Sequence, residues 1–359
     1  MLKAPFPYIG GKARIANQVW EALGDVYTYV EPFAGSAAVL LNRPSDHKNN
    51  REIINDADGL IVNTWRSLAY YPQETAAWAD WPSTESDLHA RHTWLLGQRE
   101  PMTAKLEGDP EWCDPQAAGW WMWGAALWIG GGWCSGNGKW QVVNGELVAV
   151  DGSAKPAAAI PRKRQKVSRV GGVVETGGVK RQRQDLGRAG VFSIKEDAEL
   201  VEGIFDVVPW GNGAHLVEWF AAIALRLEKV SIVAGDWTRV LGDVPLWGGV
   251  GRGIAGVFLD PPYAADQRSR PDTDLYGLDT VTVSTDVREW CVEYGGRPDI
   301  RIVLAGMDTE HDELVELGWM KHNWSAGGGY SRGEKQDRRH VEALWMSPNC
   351  LTFAQQALF

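Results

Sequence analysis

Cysteine is scarce in this chain of 359 residues: Cys113, Cys134, Cys291 and Cys350 are its four, and they stand far apart. With no Cys-x-x-Cys pair to hold zinc and no dense framework of disulfides, a reducing, cytoplasmic setting is expected and no metal. His89 and His92, three apart on an expected helix, lack further ligands nearby and read as surface residues. The amino terminus lacks the apolar core of a secretion signal, and no stretch approaches the roughly 18 apolar residues of a membrane span, so a soluble, unexported protein is expected. Repeats of fixed period are absent. Positive charge is in deficit, with 36 Lys and Arg against 46 Asp and Glu and a formal net charge of -10. That balance excludes a protein sheathed over its whole surface for polyanion binding. The length does allow a full α/β core with a second lobe.

Apolar runs ending at turn residues mark strands at 27–30 before Glu31, 52–54 before Asn55, 230–234 before Gly235, 254–259 before Asp260, and 302–304. Between them apolar residues recur at three and four over 36–41, 59–69 and 215–227, which is helical spacing. Such alternation predicts a mostly parallel sheet with helices on both faces, binding ligands at the carboxyl ends of its strands. Residues 70–210 break the pattern and read as an insertion, with tryptophan-rich helical stretches followed by a Gly-, Lys- and Arg-rich segment.

Acids recur where the strands end. In Tyr29-Val30-Glu31-Pro32-Phe33-Ala34-Gly35-Ser36 a strand closes on Glu31 and a glycine turn opens a helix. Gly35 would let a ligand approach the backbone. Glu31 adds negative charge where a phosphate loop presents only N–H donors and a basic residue, which suits a ligand carrying an amino group and a sulfonium. An ordinary strand-to-helix turn is the alternative. Asp56, in Ile53-Ile54-Asn55-Asp56-Ala57-Asp58, stands where such sheets hydrogen-bond a ribose diol, or else caps the next helix. Asp236, in Val233-Ala234-Gly235-Asp236-Trp237, would accept from an adenine amine with Trp237 stacking nearby.

The strongest signal is Val257-Phe258-Leu259-Asp260-Pro261-Pro262-Tyr263. An exocyclic adenine amine is a poor nucleophile because its lone pair is delocalised into the ring. Acceptors that draw its protons out of the ring plane restore it, and Asp260 with the Pro261 carbonyl are such acceptors. Pro261 and Pro262 fix the backbone and hold that carbonyl rigidly. Tyr263 offers a face for a base rotated out of its helix, a contact worth roughly 1 to 3 kcal/mol. A Pro-rich turn that merely ends the strand is the plainer reading.

These residues resemble the D12 class of DNA adenine methyltransferases, the group of the Dam-type enzymes. Pro7-Tyr8-Ile9-Gly10-Gly11-Lys12 looks like that family's amino-terminal cofactor motif, Glu31 to Gly35 like its glycine motif, Asp56 like its ribose acid, and Asp260 to Tyr263 like its catalytic motif. Gly10-Gly11-Lys12 is no phosphate loop, lacking the earlier glycine and the following Ser or Thr. The carboxyl segment 302–350, with Gly318-Trp319, Gly327-Gly328-Gly329-Tyr330 and Val341-Glu342-Ala343-Leu344-Trp345-Met346, is similar to versions common in bacteriophages. The resemblance implies a Rossmann-like, S-adenosylmethionine-dependent sheet from residues 1–69 and 211–359, interrupted by a target-recognition insertion at 70–210. It implies that Tyr8, Gly10, Gly11 and Lys12 complete the cofactor pocket, that duplex DNA is the partner, and that N6 of a flipped adenine receives the methyl group. The same chemistry on RNA or a cytosine amine is one rival, and a non-catalytic DNA-binding protein that kept the fold is another.

Within the insertion, Trp120, Trp123, Leu127 and Trp128 share a helical face, a stripe that more often packs a core than stacks bases. The glycine-rich turn 130–138, beside Lys139 and Trp140, reads as a hairpin loop or a close approach to a DNA backbone. Residues 160–190 hold nine Lys or Arg against two acids, a local charge of +7 that leaves -17 on the rest. Arg162, Lys163, Arg164, Lys166, Arg169, Lys180, Arg181, Arg183 and Arg188 would neutralise phosphates, and a solvated loop is the alternative.

Overall fold

A computed structural model describes residues 2–8, 10–48, 51–128, 133–134, 140–143, 146–149, 213–248, 253–263, 282–325 and 341–351. Five strands run parallel: β1 (Thr28–Glu31), β2 (Arg51–Asp56), β5 (Val230–Ala234), β6 (Ala255–Leu259) and β7 (Ile300–Met307). β8 (Met320–Ser325) and β9 (Val341–Met346) complete a mixed seven-stranded sheet in the order β5-β2-β1-β6-β7-β9-β8, with β9 antiparallel to both neighbours. β3 (Trp140–Val143) and β4 (Glu146–Ala149) form a separate antiparallel pair.

β1 and β6 are buried at every position, as expected of strands covered on both faces. Successive side chains leave the sheet on opposite sides. Tyr29, Ile54, Phe258 and Val303 lie in one core, and Val30, Ile53, Val257 and Ile302 in another. The first is covered by α1 (Ala16–Leu23), α3 (Gly59–Tyr70), α4 (Pro72–Ala79), α5 (Glu85–Gly108), α6 (Pro115–Leu127) and α7 (Gly213–Leu227). Over the second lie α8 (Asp243–Trp247), α9 (Val283–Tyr294) and α10 (Glu313–Glu316). Thr84 and Asp114 cap α5 and α6 by accepting from the backbone N–H groups of Asp87 and Ala117.

All five expected strands are present. The helix expected at 36–41 shrinks to α2 (Ala38–Leu41), because Ala37 has a left-handed backbone at φ 46° and cannot continue it. Helices α4 to α6 fall within the segment read as an insertion, yet Ala76, Leu95, Met102, Leu106, Ala117, Trp121 and Met122 share a core with the sheet residues Tyr29 and Phe258. His92 corrects an expectation: it is buried rather than superficial, with its ring stacked on Trp128 at 4.9 Å and its pKa pushed down to about 4 by burial. Trp121, Trp123 and Leu127 are buried, and Trp128 follows the last turn of α6. The loop residues 130–132 and 135–139 and the basic run at 162–188 lie outside the described residues. No helix among the described residues is long and apolar enough to cross a membrane. Nor does any group of three or more His, Cys, Asp or Glu among them suit a metal.

The order of the strands positions a crevice. From β1 the chain passes to β2 on one side, while β6 lies on the other, so the carboxyl ends of β1 and β6 flank a switch point where open parallel sheets bind ligands. Because β9 runs backwards, its first residues reach that same edge, with Glu342 opposite Met307 at the end of β7.

Candidate active site

The loop after β1 is a scaffold of hydrogen bonds. The Ala34 N–H donates to the Asn55 carbonyl at 2.8 Å, the Gly35 N–H to the Asp56 carboxylate at 2.9 Å, and the Trp65 indole N–H to the Gly35 carbonyl at 2.9 Å. The Asn55 side-chain amide donates to the carbonyls of Pro32 and Gly235, both at 3.0 Å, and so ties the loop after β1 to the loop after β5. Asn55 was quoted in the sequence but not singled out. Its signal was a polar residue inside an apolar strand, which must find partners when buried.

Gly35 has φ 46°, and a Cβ there would come within 2.5 Å of the Tyr8 ring. What approaches this glycine is therefore Tyr8, which locks the amino-terminal segment onto the loop. Ser36 is buried beside Gly11, and the Gly10 carbonyl accepts from the Lys12 ammonium at 2.8 Å.

Glu31 is engaged within the protein. It is buried, its carboxyl accepting from the Tyr29 hydroxyl at 3.0 Å and the Leu40 N–H at 3.2 Å, and burial pushes its pKa up to about 8. Burial thus favours the neutral form of this carboxyl in the ligand-free chain. Asp56 is partly exposed. Its two oxygens accept from the N–H groups of Gly35 and Asp58, and desolvation pushes it up to about 7. The cap of α3 is Asp58, not Asp56. Asp236 is exposed and accepts from the backbone and hydroxyl of Thr238. The Trp237 ring is buried against Phe33 with centroids 6.0 Å apart. Another ring needs about 7 Å to slip between two aromatic faces, so no base fits between this pair.

At the end of β6 four polar side chains converge from separate parts of the chain. The Lys12 ammonium, almost fully buried, lies 2.9 Å from Asp260 Oδ1, 2.8 Å from the Tyr263 hydroxyl and 3.4 Å from Glu342 Oε2. The Tyr263 hydroxyl is 2.9 Å from Glu342 Oε2 and 3.5 Å from Asp260 Oδ1. Both approaches to Asp260 therefore fall on Oδ1. Burial raises the pKa of Asp260, Lys12 opposes the rise, and Glu342 adds to it. The Lys12 ammonium, expected beside the cofactor, joins the amino-terminal motif to Asp260 and Tyr263. Glu342 was missed as a site residue, since an acid at the start of an unrecognised antiparallel strand carries no local signal. Pro261 is buried and Pro262 partly so, completing the turn.

Residues 8–79 match the family model described as D12 class N6 adenine-specific DNA methyltransferase. The matched segment contains Lys12, the loop after β1, and Asp56, and it ends before the Asp260 motif. A search of curated proteins found no match.

Proposed function

We propose, from the premise that the amino-terminal match implies an adenine-specific DNA methyltransferase, that the chain moves a methyl group from S-adenosylmethionine to N6 of an adenine turned out of duplex DNA. The side chains at the crevice suit that cofactor. Carboxyl groups of Glu31, Asp56, Asp236 and Asp260 stand at successive strand ends, where a ribose diol would find acceptors and a bound ammonium or sulfonium would draw the raised Glu31 and Asp56 toward their charged forms. Residues 32–36 with Tyr8, Gly10 and Gly11 would hold the methionine part, Asp56 the ribose through its remaining lone pairs, and Asp236 the adenine amine beside the outer wall made by Phe33 and Trp237. When bound, the cofactor supplies an electrophilic methyl group.

The chain's own residues activate the acceptor. Lys12 holds Asp260 by Oδ1, so Oδ2 accepts from the target amine, and the Pro261 carbonyl accepts its second proton. Together they draw the nitrogen lone pair out of conjugation, and Tyr263 stacks on the flipped base. The observation that carries this reading is the Lys12–Asp260–Tyr263 cluster at the carboxyl end of β6, beside the loop after β1. We assign the phosphate contacts to the basic run from Arg162 to Arg188, and target recognition to the part of residues 70–210 that follows α6, the Rossmann-like sheet forming the remainder.

The test measures cofactor binding, then incubates the protein with methyl-labelled S-adenosylmethionine and, in parallel, unmethylated duplex DNA or RNA, followed by digestion to nucleosides. Label in N6-methyldeoxyadenosine supports the proposal. Label in RNA alone, or in a methylated cytosine, would replace the acceptor, and cofactor that fails to bind would leave a non-catalytic DNA-binding protein.

A further inference from the structure

We infer that Glu342 is a positioning residue for the methyl transfer, acting by accepting the hydrogen bond of the Tyr263 hydroxyl and sharing the charge of Lys12. The inference rests on the methyltransferase reading of the site and extends it to the antiparallel half of the sheet.

Counting protons makes the case. An ammonium has three N–H groups, and those of Lys12 have three near acceptors in the Gly10 carbonyl, the Tyr263 oxygen and Asp260 Oδ1, all within 2.9 Å. Because Tyr263 accepts from Lys12, its own O–H must donate elsewhere. Among the described residues two carboxylates lie near it, and Glu342 at 2.9 Å is the closer, against 3.5 Å for Asp260. Glu342 thus keeps the phenol proton off Asp260. Without it the hydroxyl would turn to Asp260 and draw electron density from the carboxylate that serves the target amine. Glu342 also fixes the ring. Lys12 sits 2.8 Å from the hydroxyl but 5.2 Å from the ring centroid, beyond the edge rather than over the face. The two anchors therefore hold Tyr263 by its tip and do not cover the face on which a base would lie. Glu342 is itself held rigidly, buried on β9 in register with Met307 and Trp324.

The experiment measures single-turnover methylation of unmethylated plasmid DNA by the full chain, with cofactor binding measured separately, for wild type, Glu342→Ala, Tyr263→Phe and the double variant. A misplaced reacting group costs roughly 10- to 100-fold in rate, so losses of that size are expected in each single variant with cofactor affinity unchanged. The double variant should be no slower than the slower single one, because both changes remove the same hydrogen bond. A Glu342→Ala rate equal to wild type, or a double variant whose loss is the product of the two single losses, overturns the inference. Should Glu342→Ala fail to fold, Tyr263→Phe decides, and its transferring methyl groups at the wild-type rate overturns the role assigned to Glu342. Wild-type protein that binds cofactor but methylates no adenine overturns the underlying reading instead.

Discussion

Asp260 has two oxygens in unlike company, one approached by Lys12 and Tyr263 and the other turned to the acceptor in the proposed reaction. Asp260→Ala should therefore abolish methyl transfer, while cofactor binding measured by calorimetry stays largely intact. Turnover close to wild type would remove Asp260 from the chemistry. Gly35 is constrained twice, by its left-handed φ and by the Tyr8 ring. Gly35→Ala should weaken cofactor binding strongly and destabilise the fold by more than the about 1–2 kcal/mol that a non-glycine residue costs in that conformation, since its Cβ also meets the Tyr8 ring. Pairing it with Tyr8→Ala should recover part of the stability in urea melts, because the clash is removed and the backbone strain is not.

Among the elements, α3 and α5 are joined through one buried cation. Arg66 on α3 donates from Nε to the Ile232 carbonyl on β5, and from one terminal nitrogen to the carbonyls of Leu106 and Asp109 at the end of α5 and of Trp112 beyond it. Carbonyls left over at a helix end carry partial negative charge, so the arginine serves as a C-terminal cap. Replacing it with methionine should cost roughly 3 kcal/mol in denaturant unfolding, since several charge-assisted hydrogen bonds vanish and carbonyls are orphaned. Asn55→Ala should cost about 2 kcal/mol and loosen the cofactor, because it unties the loops after β1 and β5 together. The parallel strands were legible in sequence because each is a short apolar run closed by an acid or glycine. β8 and β9 were not: Met320-Lys321-His322-Asn323-Trp324-Ser325 has no apolar run, and only its pairing with β9 makes it a strand. Glu342 stayed hidden because it opens an antiparallel strand, whereas the other site acids close parallel ones. Lys12, Asp260 and Tyr263 were each legible, but their pairing was not, since an ion pair across 247 intervening positions of chain leaves no local pattern.

At the scale of the molecule, burial of acids gives stability a dependence on pH. Glu31 moves from its usual 4.5 up to about 8, and Asp56 from 3.8 to about 7. Between those limits the folded chain binds more protons than the unfolded one, so the contribution is full at low pH and is lost as pH rises through the folded values. His92 and His311, pushed down from 6.5 to about 4, act oppositely below pH 6.5. The unfolding free energy of the cofactor-free protein should therefore fall from about pH 6.5 to 8, by on the order of 2 kcal/mol for Glu31, seen as a declining melting temperature. Glu31→Gln should flatten the decline, and an equally steep decline would show that other groups cause it. Neutralising Arg162, Lys163 and Arg164 should weaken DNA binding and reduce the slope of log affinity against log salt by up to about 3. An unchanged slope would make that run a bystander.

Of the sheet's seven strands, the one bearing Glu342 is the last to leave the ribosome. A nascent chain has made its cofactor loop and Asp260 well before that carboxylate arrives. If Glu342 governs Tyr263 as inferred, the emergence of this strand brings the chemistry to its full rate. A nonsense codon shortly before position 341 would then yield a product that retains the cofactor loop and methylates DNA at least about 10-fold more slowly.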